Sequence, residues 1–219
     1  VQSSGFAGNK SMGYKAGCNA MIKLMGDGPF RKYDGINFLG DFNLAGEMWI
    51  VTNYLKQLGI NVVSKITGDA RCEELARAPG ARLNIVQCAG SMTFLAKQME
   101  KIYGIPYLKV SFVGVEDTKM SLLKIAEAVG DREMPDRVKK FNAEQESKIK
   151  ASLEYYRGRL EGKKAAIYVG GGFKAISLIR QFSQLGMHTV MVGTQTGKPD
   201  EYETIKSITE DDTVILDDA

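Results

Sequence analysis

Of the three cysteines in the chain, Cys88 stands where a thiol could do chemistry. Leu83, Ile85 and Val86 before it read as a buried strand, and Gln87-Cys88-Ala89-Gly90-Ser91 reads as the turn into a helix. In open α/β sheets, ligands gather outside the carboxyl ends of strands, where backbone N–H groups and the next helix's amino terminus converge. A thiol there, close to a helix's positive pole, can be held as thiolate and ligate a metal or a cluster. The competing reading is that an unpaired cysteine is a small buried hydrophobe.

Other chemistry finds less support. Cys18, Cys72 and Cys88 are scattered, and His188 is the only histidine, so no zinc spacing exists. His188 falls in a strand-like run, where packing is expected rather than partnership with a nucleophile. Asp41, Glu47 and Asp69 read as caps or turn formers. The glycines Gly170, Gly171 and Gly172 follow a strand, but GGGFKA lacks the Lys-Ser/Thr ending of a Walker loop and is not GxGxxG. Their turn lets Lys174 stand beside a ligand at the strand ends. Lys10 and Lys15 sit at the start of a helix, with solvated surface charge as the alternative. One strand-end thiol with lysines facing it suits a large anionic ligand held by few covalent bonds and several positive charges.

The bulk numbers leave room for such a pocket and exclude broader surfaces. Balancing 29 basic against 26 acidic residues gives a net charge of +3, which implies no extended nucleic-acid or membrane surface. No apolar run approaches the roughly 20 residues of a membrane span, and no signal peptide is visible, so the chain reads as cytoplasmic. Cysteines without a disulfide framework fit a reducing compartment. A start at Val1 and a stop just after a strand-like TVIL run suggest a piece of a longer protein.

Strand and helix alternate along the chain. Small residues with Gly5 and Gly8, which allow close backbone approach, lead into a helix with Met12, Cys18, Met21, Ile22, Leu24 and Met25 at helical spacing. INFLG (36–40) is a strand, with Asn43 as N-cap of a helix over 44–58, and INVVSKITG is the second strand. Gly68-Asp69 caps a short helix, and Pro79-Gly80 turns into the strand before Cys88. A helix over 92–103, a strand over 106–112 and a helix from about 114 to 129 follow. A Lys- and Glu-rich helix, with Phe141, Ile149, Leu153 and Tyr156 on one face, then connects to a second strand–glycine turn–helix pattern. There 165–169 is a strand, 173–185 a helix, and MHTVMVG and TVILDD are further strands. The expectation is α/β: Rossmann-like parallel-sheet domains with helices on both faces, one nearly complete over 1–130, a connecting helix over 131–161, and a partial one over 162–219.

Several long stretches are distinctive together: GFAG, KSMGYKAG, INFLGDFNLAGEMW, ITGDAR, ARLNIVQCAGSMTFLAKQMEKIYGIPYLKVSFVGVEDT, YRGRLEGKKAAIYVGG and LGMHTVMVGT. They resemble the nitrogenase component 1 family over nearly the whole chain, and within it the scaffold members more than the catalytic α chains. The resemblance implies that Cys88 matches the cysteine that ligates an end iron of the cofactor, with the Ser91 hydroxyl beside its sulfur. MGYK stands where the α chain has LGHH, which puts Tyr14 and Lys15 at a catalytically important histidine. GGGFK stands where the α chain has a glycine pair and an arginine, which puts Lys174 at the basic position. Gly90 stands after Cys88 where the α chain carries arginine. A reductase needs a proton donor near the cluster, whereas a scaffold must hold an anionic cluster and release it. Lysine supplies charge without titrating near neutrality. The implied role is therefore binding of an iron–sulfur precursor during iron–molybdenum cofactor biosynthesis, with Cys88 as metal ligand and Lys10, Lys15, Lys174, Gly171 and Gly172 around the cluster. The implied partners are a NifN-like subunit, the nitrogenase iron protein and a precursor-donor protein. Ligands of a bridging cluster would lie before Val1 and a distal ligand after Ala219. The alternatives are a catalytic nitrogenase α subunit and, from another class, a nucleotide- or metabolite-binding module.

Overall fold

Short runs rich in β-branched and aromatic residues form the strands, and the longer runs between them form helices. The computed structural model describes residues 8–44, 47–129 and 132–217. Two compact units emerge, one comprising Val1–Val110 with Lys124–Pro135 and the other Ser111–Leu123 with Asp136–Ala219.

In the first unit, β1 (Ile36–Leu39), β2 (Val62–Ile66), β3 (Leu83–Val86) and β4 (Tyr107–Lys109) make one parallel sheet in the order β2-β1-β3-β4. Alternate side chains along a strand point to opposite faces. Ile36, Phe38 and Ile85 on one face and Leu39, Val86 and Ile66 on the other are all shielded from solvent, so the sheet is covered on both sides. The second of those faces joins α1 (Lys10–Met25) and α4 (Ala89–Tyr103) in a core of Cys18, Met25, Leu95, Ala96 and Met99. A polar row crosses that face. Asn37 donates to the Ala78 carbonyl at 2.9 Å and to Asn84 Oδ1 at 2.8 Å, and Ser64 donates to Asn37 Oδ1 at 2.8 Å.

The second unit carries β5 (Lys164–Val169), β6 (His188–Thr194) and β7 (Val214–Asp217), parallel and in that order. Helices α7 (Gly172–Gln184) and α8 (Pro199–Ile208) cover one face, where Ile167, Val192, Ala175, Ile176, Ile179 and Ile205 form the core. The other face carries Tyr168, Val214 and Leu216, which are exposed. Asp117 accepts from Arg180 at 2.7 Å and from the Ser177 hydroxyl, and Ser177 lies 2.8 Å from Ser111 Oγ. This buried chain ties residues 111–123 to α7.

The chain is thus α/β with parallel sheets, as expected, but several elements differ. Helix α2 (Met48–Gln57) starts later than residue 44, because 41–44 forms a separate 3-10 turn and Glu47 takes the N-cap position. The short helix α3 (Cys72–Arg77) begins after Arg71 rather than after Gly68-Asp69, since the Asp69 carboxylate pairs with Lys65 and its N–H with Asp41. Helix α4 starts three residues before Met92, and β4 is only three residues long. Helix α5 (Val115–Val129) and the long α6 (Met134–Leu160) lie where the pattern placed them. On α6, Phe141 is buried whereas Ile149 and Tyr156 are exposed. Helix α8 corresponds to no element read from the sequence. Gly5, residue 218 and the side chain of Asn43 lie outside the described residues.

Candidate functional site

Strand order decides where a ligand can sit. In the first sheet β2 pairs to one side of β1 and β3 to the other, so the winding reverses between β1 and β3. At such a switch point the crossover helices leave in opposite directions, opening a crevice at the carboxyl ends. The residues beyond those two ends are Gly40-Asp41 after β1 and Gln87-Cys88 after β3.

Cys88 occupies the N-cap position of α4, with φ −109° and ψ 86°, and its carbonyl accepts the Met92 N–H at 2.9 Å. Its side chain makes no capping bond. Instead Ser91, one turn on and buried, donates its hydroxyl to the Cys88 sulfur at 2.8 Å. The thiol is half-buried and packs at the edge of the core that contains Cys18. Cys18 is fully buried, donates weakly to the Ser91 carbonyl at 3.8 Å, and has its pKa raised chiefly by burial. Cys72 is exposed.

Helix α1 brings the lysines. It runs parallel to α4, since Cys18 meets Ser91 near the start of α4 while Tyr103 at its end donates to the Gly26 carbonyl at 3.0 Å. Helix α1 begins eight residues before Cys18, about 12 Å at the helical rise, whereas α4 begins two residues before Ser91, about 3 Å. The first turns of α1 therefore overhang the carboxyl edge of the sheet. Tyr14 and Lys15, four and three residues before Cys18, lie on its stripe. Both are exposed, as is Lys10, whose ammonium lies 5.9 Å from the centre of the Tyr14 ring.

Among the described residues no group of three or more His, Cys, Asp or Glu side chains could hold a metal ion. One thiol with a hydroxyl donor on its sulfur and cations on an overhanging helix fits an anionic cluster anchored at a single point. It does not fit a lone metal ion, which needs several protein ligands.

In the second unit, Gly171 is the N-cap of α7 with an extended backbone, and none of the three glycines has a positive φ. The run is therefore not an αR–αL anion nest. Gly172 has a packing reason to lack a side chain, because a Cβ there would fall 2.7 Å from Glu201 Cβ. Lys174 is exposed in the first turn of α7. His188 does not pack inside: it opens β6, is exposed, and its Nδ1 lies 2.7 Å from Glu210.

One residue escaped the sequence reading, and another does more than its sequence suggests. Gly40 has φ +90°, and the Cβ it lacks would fall 2.7 Å from Cys88 Cβ and 2.8 Å from Cys88 N. Asp41 is not a simple turn former. It is buried, and its two carboxylate oxygens accept the N–H groups of Gly68 at 2.7 Å and Asp69 at 2.8 Å. A glycine and an acid directly after a strand were the available signal.

Comparison with known proteins adds to this geometry. A sequence model of the nitrogenase component 1 type oxidoreductase family matches residues 1–219. A relative from Clostridium pasteurianum, the nitrogenase iron-molybdenum cofactor biosynthesis protein NifE, is 68% identical over 220 residues, covering 100% of this chain and 48% of the relative. A nitrogenase molybdenum-iron protein alpha chain from Methanothermobacter marburgensis is 34% identical over 224 residues, covering 100% of this chain and 47% of that one. Among solved structures, nitrogenase Cp1 at pH 6.5 superposes with a TM-score of 0.79 at 31% identity, covering 93% of this chain and 40% of the other. The chain spans about half the length of the curated relatives it matches.

Proposed function

The chain belongs to the nitrogenase component 1 type oxidoreductase family, and from that premise we propose that it is part of an assembly scaffold which binds an iron–sulfur precursor during iron–molybdenum cofactor biosynthesis. The observation that carries the reading is the half-buried Cys88 thiol at the β1/β3 switch point, with the Ser91 hydroxyl directed at its sulfur. Thiolate sulfur is the usual protein ligand of iron–sulfur clusters, and hydrogen bonds to it tune the cluster. The 68% identity to a protein named for cofactor biosynthesis, against 34% to a nitrogenase molybdenum-iron protein alpha chain, supports the assembly role.

In this reading the cluster is cargo. Cys88 ligates its iron, and Ser91 orients and partly neutralises the sulfur. Lys10 and Lys15 supply positive charge from the α1 overhang, whereas Lys174, Gly171 and Gly172 belong to the second unit. Tyr14-Lys15 carries no imidazole, so the site holds charge without a histidine to relay protons. Holding rather than reducing is the role this chemistry serves. The full-length protein pairs with a NifN-like subunit and meets the nitrogenase iron protein and a precursor donor. Among the described residues no helix is long and apolar enough to cross a membrane.

The test is to load the full-length protein and its partner subunit with precursor and compare cluster absorption and cofactor maturation in wild type and Cys88→Ala. Loss of both supports the assignment, and retention of the cluster at wild-type occupancy overturns it. Acetylene reduction by the same complex would instead identify a catalytic subunit.

A further inference from the structure

The thiol of Cys88 rests on a backbone that is unusual in two linked ways. Its Cβ and N press on Gly40, which can receive them only because it has no Cβ and adopts φ +90°. Gly40 is held from both sides, with its N–H on the Ile66 carbonyl and Asp41 following it. Asp41 is 3% exposed, and its carboxylate takes two N–H groups from the loop after β2. Among the described residues no lysine or arginine is paired with that carboxylate, so those N–H groups answer its charge. Gly68 must also be small, since a Cβ there would fall 2.8 Å from Asp41 Oδ2. The exits of β1, β2 and β3 therefore form one connected unit: the β2 loop fixes Asp41, Asp41 fixes Gly40, and Gly40 fixes the platform under Cys88.

We propose that Asp41 is a positioning residue for Cys88, acting through Gly40 to hold the thiol at the mouth of the crevice. This rests on the reading of Cys88 as the cluster ligand, which alone gives the position of its sulfur a purpose. A carboxylate accepts both N–H groups at once, whereas an amide offers one oxygen and turns an N–H₂ toward a donor. Asp41→Asn therefore breaks one of the two bonds with nearly no change in volume and loosens the β1 exit.

The cysteines supply the assay. In the full-length protein without cluster, iodoacetamide alkylation followed by peptide mass spectrometry gives a rate for each thiol. Exposed Cys72 reports reagent and general reactivity, and buried Cys18 reports the integrity of the fold. For Asp41→Asn the ratio of the Cys88 rate to the Cys72 rate should rise at least about fivefold, as expected when a charge-assisted hydrogen bond that closes a loop is lost. Cys18 should stay unreactive. Gly68→Ala keeps the carboxylate's charge but displaces it, and should raise the same ratio in the same direction, so it also serves if Asp41→Asn fails to fold. A ratio within about twofold of wild type in a variant whose Cys18 remains protected overturns the proposal. So does a rise in Asp41→Asn with none in Gly68→Ala, which would assign the effect to charge rather than position. Because the assay contains no cluster, it can succeed while Cys88→Ala retains the cluster, and it can fail while Cys88→Ala loses it.

Discussion

Ser91 donates its hydroxyl to the sulfur of Cys88 across 2.8 Å, reversing the usual direction of help at a helix start. An N-cap side chain normally accepts from the backbone of the first turn. Here a side chain of the first turn serves the N-cap residue, and the Cys88 side chain accepts none of the amino-end N–H groups of α4.

Ser91→Ala removes that donor without disturbing the buried packing. In the cluster-loaded full-length protein the reduction potential should move negative by on the order of 40 mV, the one-electron equivalent of a net hydrogen bond of about 1 kcal/mol. A redox titration followed by electron paramagnetic resonance reads it. An unchanged potential would mean that the hydroxyl does not reach the ligating sulfur.

The polar row inside the first sheet predicts an asymmetry between two asparagines. Asn37→Leu strands the Ser64 hydroxyl, the Ala78 carbonyl and the Asn84 oxygen, and should cost roughly 3 kcal/mol or more. Asn84→Leu frees a single Asn37 N–H and removes an amide nitrogen that is itself buried without a partner, so its cost should be nearer about 1 kcal/mol. Urea unfolding midpoints order the two, and equal losses would contradict the network.

Lys119 gives a pH dependence in the second unit. Its ammonium lies 2.9 Å from Glu146 and 3.2 Å from Glu116, and these contacts, the hydrogen bond to Glu146 first, raise its pKa above the ordinary lysine value. The folded state therefore holds the proton more tightly than the unfolded state. The contribution is complete below an unfolded pKa of about 10.4 and disappears as pH rises through the higher folded value. The groups are partly exposed, so the pair should contribute only about 0.2–1 kcal/mol. Glu146→Gln should lower the unfolding midpoint at pH 9 and converge on wild type in strong alkali. Cys18, also raised, titrates in both proteins and cancels in the difference.

Periodicity made the alternation of strands and helices legible, and with it the parallel sheets and the strand-end position of Cys88. What remained hidden depended on partners distant in sequence. The platform role of Gly40 needs Cys88, 48 residues later, and the charge balance of Asp41 needs the loop at Gly68-Asp69. Helix α8 was readable: Pro199 at its start and Glu201 accepting the Lys198 N–H are local signals. The early start of α4 was not, because Ala89-Gly90 resembles a turn until the strand before it fixes its direction.

The overhang of α1 separates two properties of this site. The sulfur's position is set at the carboxyl edge of the sheet, where exchanges disturb packing, but Lys10 and Lys15 ride on exposed turns of α1 beyond the core. Exchanges at Lys10, Tyr14 or Lys15 can thus change the charge of that overhang while the protein goes on folding as before. A family built on this frame can change the charge at the edge of its crevice by editing a single helical surface.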